Sequence, residues 1–427
     1  MATLSILGGR VIDPASNLDL VTDLHIAEGK ILAFGTPPAD FSADEQIEAK
    51  DHIVCPGLVD LSVRLREPGA MHKGTILSET RAAAANGITT LCCPPDTNPV
   101  IDTPAVAELL QHRAAGMAKI LPLGALTQGL KGEHLAEMGI LKEAGCIGVS
   151  NVHSIVNTDI LRHALEYAAN CELTVFLHAQ EPWLGRNGCA HEGAISSRLG
   201  LSGIPEAAET IEVARDLLLI EMTGVRAHFC RLSTARAVNM VQEAQAKGLK
   251  VTADVSAHHL FLTDKDISDY NSQCHVCPPL RSQNDKEALR EGLRHGSLHA
   301  ICSDHQPHEA DAKRSPFAMT ASGISALDTL LPLTLQLTEE MQIDLMTLLG
   351  NVTYKPAQIL GIEAGTLAEG STADVCIFDP NKHWTLSEEN MHSLGKNSPF
   401  LGWEFKGEVS YTLINGQVVY THGGEYN

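Results

Sequence analysis

Eight short apolar runs, separated by Ala-, Leu- and Glu-rich stretches, constrain this chain more than any other feature. They are Val59 to Leu65, Ile88 to Cys93, Ile120 to Gly124, Cys146 to Ser150, Leu173 to His178, Val225 to Cys230, Leu249 to Asp254 and Ala300 to Asp304. Runs of this length read as buried strands, and the stretches between them, for example Glu79 to Asn86, Pro104 to Arg113 and Pro205 to Met222, read as helices. Eight strand-helix units in alternation predict an α/β fold of the (β/α)8 TIM-barrel type. Active sites of such barrels sit at the C-terminal ends of the strands. Arg64, Arg66, His178, Arg231 and Asp304 fall there.

The two ends of the chain follow a different rhythm. Short alternating runs (Val21 to Ile26, Lys30 to Phe34) flank a turn at Glu28-Gly29, and the pattern returns as Ala373 to Phe378 and Val409 to Tyr420. Asn415-Gly416 between apolar runs is a strong hairpin signal. Neither end is long enough to bury a sheet alone. The expected organisation is therefore a small β-sandwich domain built from residues 1–54 and 365–427, around a barrel of residues 55–364.

Composition enters mainly by exclusion. The 427 residues carry a formal net charge of −21 with no offsetting run of Lys and Arg, the opposite of what phosphate neutralisation requires. Nucleic acid is a poor partner for such a chain. No stretch approaches the ~20 apolar residues of a membrane span, and the start Met1-Ala-Thr-Leu-Ser-Ile has no basic leader. Eleven scattered cysteines read as reduced thiols, so the expectation is a cytoplasmic protein.

The chemistry concentrates in a few segments. Residues 56–69 read Pro-Gly-Leu-Val-Asp-Leu-Ser-Val-Arg-Leu-Arg-Glu-Pro-Gly. On a strand, residues i and i+2 point the same way, so a His-x-His pair at 62 and 64 would aim two imidazoles at one metal. This chain has Ser62 and Arg64 there. Serine is a poor neutral ligand, and a guanidinium has no lone pair to give and carries a permanent positive charge.

Taken together, the segments identify a family. Ser62 to Gly69 resembles the His-x-His-Leu-Arg-Glu-Pro-Gly motif of dihydroorotases, which are metal-dependent cyclic amidohydrolases. Gly203-Ile-Pro-Glu-Ala-Ala-Glu with Ala214-Arg-Asp resembles their mid-barrel helix, and Val251-Thr-Ala-Asp-Val-Ser-Ala-His-His-Leu their seventh strand. Pro278-Pro-Leu-Arg281 and Ser303-Asp-His-Gln-Pro-His308 resemble their last two signatures. The likeness runs from about Thr3 to Tyr420.

What the resemblance implies is a site with its ligands replaced. In working dihydroorotases zinc is held by two histidines of the first strand, a carboxylate or modified lysine after the fourth, histidines after the fifth and sixth, and an aspartate after the eighth. The matching positions here are Ser62, Arg64, Asn151, His178, Arg231 and Asp304. Only His178 and Asp304 could still bind zinc, whereas a catalytic zinc normally has three protein ligands and an open water position. Substrate contacts are altered as well: Arg66 and His308 remain, while Asp96 and Cys277 stand where asparagines are expected. An aspartate facing an anionic substrate is repulsive. No catalytic residue, metal or cofactor is therefore expected.

This combination resembles noncatalytic dihydroorotase-like chains that accompany aspartate carbamoyltransferase in some bacterial holoenzymes, six of each chain. The resemblance implies a structural or regulatory subunit in pyrimidine biosynthesis. Two other readings stay open at this stage: a cryptic hydrolase with one metal on His178, Asp304 and a third group, and a small-molecule sensor using Arg66 and His308 as anion contacts. Among plainer expectations, Asp304 pairs with Arg64 or Arg231 in place of lost metals, because a buried carboxylate is costly alone. Arg66 either bridges to Glu67 or serves as an anion hook. His258-His259 reads as a packing pair, and Cys274-x-x-Cys277 as two unpaired thiols.

Overall fold

In the computed structural model, which describes residues 3–113 and 117–424, each of the eight central runs overlaps a strand, although the first strand ends at Asp60 and leaves Ser62 and Arg64 on the loop beyond it. Five strands precede them: β1 (Leu4–Asp13), β2 (Leu18–Ala27), β3 (Lys30–Phe34), β4 (Glu45–Glu48) and β5 (Ile53–Pro56). The central strands are β6 (Leu58–Asp60), β7 (Ile88–Cys93), β8 (Lys119–Ala125), β9 (Gly148–Ser150) and β10 (Thr174–Leu177). A side excursion then pairs β11 (Ala190–His191) with β12 (Gly203–Ile204), before β13 (Ala227–Phe229), β14 (Val251–Ser256) and β15 (Ala300–Cys302) complete the set. The chain ends with β16 (Val375–Thr385), β17 (Glu404–Ile414) and β18 (Gln417–Thr421).

The eight central strands form one parallel sheet in chain order, from β6 to β15. It closes just beyond the strand ends, where Arg64 N donates to His305 O and His305 N to Ser62 O, both at 3.0 Å. The result is a nearly closed (β/α)8 barrel. Strands covered on both faces need apolar residues throughout, and all six residues of β7 are buried. The lumen is filled by Val59, Leu61, Cys92, Leu123, Phe176 and Cys302. Gly148 makes room for this packing: a Cβ there would stand 2.7 Å from the Phe176 ring and 2.9 Å from Thr174 O. Phe176 is 1% exposed, a burial worth about 2 kcal/mol.

Helices begin where capping groups allow. Ile76–Ala85 starts three residues before the expected Glu79, because Thr75 and Ser78 form a reciprocal cap and Glu67 Oε2 accepts from Ile76 N at 2.8 Å. Ser282 and Asp285 cap Gln283–His295 in the same way. Glu206–Thr223 runs the expected course in the outer ring. No helix of the described residues is long and apolar enough to cross a membrane.

The two chain ends share one eight-stranded sheet, ordered β18-β17-β16-β5-β1-β2-β3 with β4 beside β1. It curls back on itself, since Lys30 at the start of β3 bridges Thr372 just before β16. Inside it lies a core of its own, including Ile6, Leu24, Ile26, Val54, Val375 and Leu413. The hairpins turn at Glu28–Gly29 (φ 52° and 76°) and Asn415–Gly416 (φ 50° and 74°), two-residue loops whose positive φ matches the twist of the strands.

Candidate functional site

Strand ends bring Ser62, Arg64, His178, Arg231 and Asp304 together at one mouth of the barrel. Asp304 follows β15 with φ 49° and is 1% exposed. Its Oδ1 accepts from Ser62 Oγ at 3.2 Å and from Arg64 Nη1 at 3.4 Å, and Arg231 Nε stands 3.5 Å away as an ion pair. Its Oδ2 accepts from Gln306 Nε2 at 3.1 Å. Both arginines thus face the aspartate, as expected from the cost of burying a lone carboxylate.

The charges continue outward. Arg64 Nε donates to Asp96 Oδ2 at 2.7 Å, giving an alternating row of Asp96, Arg64, Asp304 and Arg231. Burial alone would raise the Asp96 carboxyl, but the charge and hydrogen bond of Arg64 outweigh it and hold the group below the usual carboxylate range. Asp96 is therefore neutralised by Arg64, a pairing the sequence reading, which treated it as a bare repulsive charge, did not contain.

Arg231 is anchored from below and aimed inward. Its backbone N donates to Asp254 Oδ1 at 2.5 Å, and its Nη1 donates to Ser62 Oγ at 3.1 Å. Nη2 lies 3.3 Å from His178 Nδ1. A guanidinium only donates, so Nδ1 is the acceptor and the ring proton sits on Nε2, facing Cys277 Sγ at 3.9 Å. Burial, then the charge of Arg231, pushes the His178 pKa well down and keeps the ring neutral. The lone pair His178 would offer a metal is already engaged by Arg231.

Asn151 goes elsewhere. Its Oδ1 accepts from Thr127 Oγ1 at 2.6 Å and its Nδ2 donates to the carbonyls of His153 and Leu130, so it pins the loop after β9. Arg66 does not bridge to Glu67, which instead pairs with Arg113 and caps Ile76. Arg66 Nε donates to Pro307 O at 3.1 Å, and Nη2 lies 3.1 Å from His308 Nε2. Lys73 Nζ lies 3.1 Å from His308 Nδ1, and His308 Nε2 lies 3.0 Å from Ser322 O. Burial, then the charges of Arg66 and Lys73, brings the His308 pKa down to about 3. Cys277 Sγ donates to Gln180 Oε1 at 3.4 Å, and burial raises its thiol pKa. Lys73 and Gln180 lie outside the quoted motifs, while Asp254 and Gln306 lie within them, and sequence reasoning assigned a role to none of the four because their partners His308, Cys277, Arg231 and Asp304 are brought within reach only by the folded mouth.

The site does not fit a catalytic divalent cation. Two guanidinium groups point at the one carboxylate left to bind it, and the remaining imidazole accepts from one of them. Among the described residues, the His, Cys and carboxylate groups close enough to share an ion are His228, Cys230 and Asp254, in the layer below. There His228 Nε2 is 2.9 Å from Asp254 Oδ2, whose other oxygen holds the Arg231 backbone. The open space beside Arg64, Arg66 and Asp96 is a pocket of about 80 Å³. Ordinary small-molecule sites hold ~300–1,000 Å³.

A parallel barrel with its polar cluster at the strand ends and a sheet made from both chain ends defines an amidohydrolase-type protein. A dihydro-orotase-like family model matches residues 51–237 and an amidohydrolase family model residues 209–420. The chain is 53% identical to a dihydroorotase-like protein of Pseudomonas aeruginosa, over 99% of this chain and 100% of that protein. It is 44% identical to a dihydroorotase of Geobacter sp. strain M21, over 98% and 100%. An L-hydantoinase (dihydropyrimidinase) from Arthrobacter aurescens shares the fold, with a TM-score of 0.89 at 24% identity, covering 100% of this chain and 98% of that one. The chain belongs to the dihydroorotase-like family of the amidohydrolase superfamily.

Proposed function

We propose that this chain is a catalytically inactive dihydroorotase homologue that serves as a structural or regulatory subunit of aspartate carbamoyltransferase in cytoplasmic pyrimidine biosynthesis. The observation that carries the inactive half is the Asp304 carboxylate, engaged by Ser62, Arg64 and Arg231 where working relatives would place cations. Hydrolysis of a cyclic amide needs an activated water, which working relatives draw from a metal, and Ser62, Arg64 and Arg231 here stand at positions matched to ligands of that metal. The partner half rests on the resemblance to noncatalytic subunits that assemble six with six. A complete barrel and closing sheet around a filled site suit a role for the folded surface.

The competing reading, a hydrolase, draws on the relatives named dihydroorotase. It needs a third metal ligand and the displacement of Arg231 from His178. Deleting the chain from its native host separates the two. Our reading expects carbamoyltransferase activity and the mass of its complex both to fall, and both to return with wild-type chain or with Asp304→Ala. Unchanged activity in an unchanged assembly would end it.

A further inference from the structure

One layer below the mouth, three adjacent strands carry metal-binding side chains into the lumen. His228 lies on β13 and Cys230 just after it, Asp254 lies on β14, and Cys302 ends β15. Residues i and i+2 of a strand face the same way, so Cys230 follows His228 inward and packs against the lumen residues Phe176 and Cys302. The ligand atoms of His228, Cys230 and Asp254 lie within 4.8 Å of one another, and Cys302 Sγ is 3.6 Å from Asp254 Oδ1. His228, Asp254 and Cys302 are fully buried, whereas Cys230 keeps partial access to solvent. Hydrogen bonding alone leaves this layer with more lone pairs than protons. Asp60 Oδ1 accepts from the backbone N of Ser62 and of Ser303, the residue after Cys302, but its Oδ2 is buried with no partner among the described residues. Thiols are weak donors, and Cys230 Sγ reaches only the carbonyl of His228, at 3.9 Å. The cations overhead are already committed, Arg64 to Asp96 and Asp304 and Arg231 to Asp304. Buried lone pairs in excess of protons are a cost that a metal ion removes.

We propose that this layer holds a structural zinc ion, bound by His228 Nε2, Asp254 Oδ2 and the thiolates of Cys230 and Cys302. Sulfur, imidazole and carboxylate donors together suit a borderline-soft ion that takes its ligands in a tetrahedron. The outer contacts are in place for it. His228 Nδ1 stands 2.8 Å from Thr252 Oγ1, and Asp254 Oδ1 accepts from Arg231 N, which leaves Nε2 and Oδ2 to meet the ion. Binding exchanges protons for metal: the ring proton that Nε2 shares with Asp254 moves to Nδ1, where Thr252 Oγ1 accepts it, and both thiol protons leave to solvent. None of these ligands is a mouth position, and a site closed by protein ligands leaves no place for a reacting water. The ion clamps β13, β14 and β15 together. It also fixes Asp254 beneath Arg231, whose backbone is held at φ 55°.

The test is the zinc content of the full-length chain, purified under reducing conditions from cells grown with added zinc. The expected result is about one zinc per chain, with sulfur neighbours seen by X-ray absorption at the zinc edge. Cobalt in place of zinc should give the strong visible bands of a tetrahedral site together with thiolate-to-metal charge transfer. Cys230→Ser combined with Cys302→Ser should lower zinc content at least about tenfold. His178→Ala, at the mouth, should leave it unchanged. A chain without zinc, zinc bound without sulfur, or zinc retained by the double serine variant would overturn the proposal. So would zinc lost on His178→Ala, since the ion would then sit at the mouth. The absorption spectrum is read on the wild-type chain, so a serine variant that fails to fold leaves the sulfur count to decide.

Discussion

The barrel mouth and the seam between barrel and terminal segments both bury carboxylates, and they neutralise them by different means. At the mouth, Asp304 faces two guanidinium groups on long side chains at strand ends. At the seam, Glu79 is fully buried and accepts from His305 Nε2 (2.8 Å), Ser393 Oγ (2.7 Å), Ser78 Oγ (2.8 Å) and Leu394 N (3.2 Å). Glu209 is held likewise by the amides and hydroxyls of Ser233 and Thr234. Seam donors are backbone and short side chains of packed elements, so they fix how those elements meet. Mouth donors reach in from the rim on long side chains. The seam therefore specifies architecture, whereas the mouth is a closed charge balance that the fold can exchange.

That contrast orders the consequences of mutation. Glu79→Ala leaves His305, Ser393, Ser78 and Leu394 donors without an acceptor, and is expected to cost about 4 kcal/mol in urea unfolding. Asp304→Ala strands Arg231 and half of Arg64, whose other partner Asp96 remains, for about 3 kcal/mol. The double change Arg231→Met, Asp304→Leu removes both sides of the balance and should recover most of that loss. An equal loss in the double variant would erase the distinction between mouth and seam.

A third site sharpens the comparison through pH. Asp60, at the end of β6 just beneath the mouth, accepts from Ser303 N at 3.0 Å and Ser62 N at 3.3 Å, and burial, outweighing these hydrogen bonds and the charge of His305, raises its pKa to about 6. The unfolded value is about 3.9, so the native state binds this proton more tightly and its stability falls as pH rises from about 4 to 6. Asp60→Asn should remove a slope worth on the order of 2 kcal/mol across that window. A slope unchanged by the substitution would place the titration elsewhere. The smallest effect belongs to the exposed pair Arg10–Asp19 at 2.7 Å, where Arg10→Ala should change stability by less than about 0.5 kcal/mol.

The sequence disclosed the parts whose cause is local. Apolar runs located all eight barrel strands, Glu28-Gly29 and Asn415-Gly416 located hairpins, and the strand-end motifs located Ser62, Arg64, His178, Arg231 and Asp304. It also gave the reason for Asp304 to meet an arginine. It did not disclose relations made by closure of the barrel. Glu79 meets His305 across 226 positions and Ser393 across 314, and neither motif nor periodicity encodes such a pairing. Arg64 meets Asp96 across 32 positions because both lie on the rim, and Asn151 leaves the mouth because Thr127 captures it.

The central claim is that arginines stand where metal would act and that the mouth performs no chemistry. Its most direct test is the interconversion of carbamoyl aspartate and dihydroorotate by purified protein, run in both directions with and without added zinc. No turnover above background is expected in either direction. Turnover well above background that Asp304→Ala abolishes would contradict it.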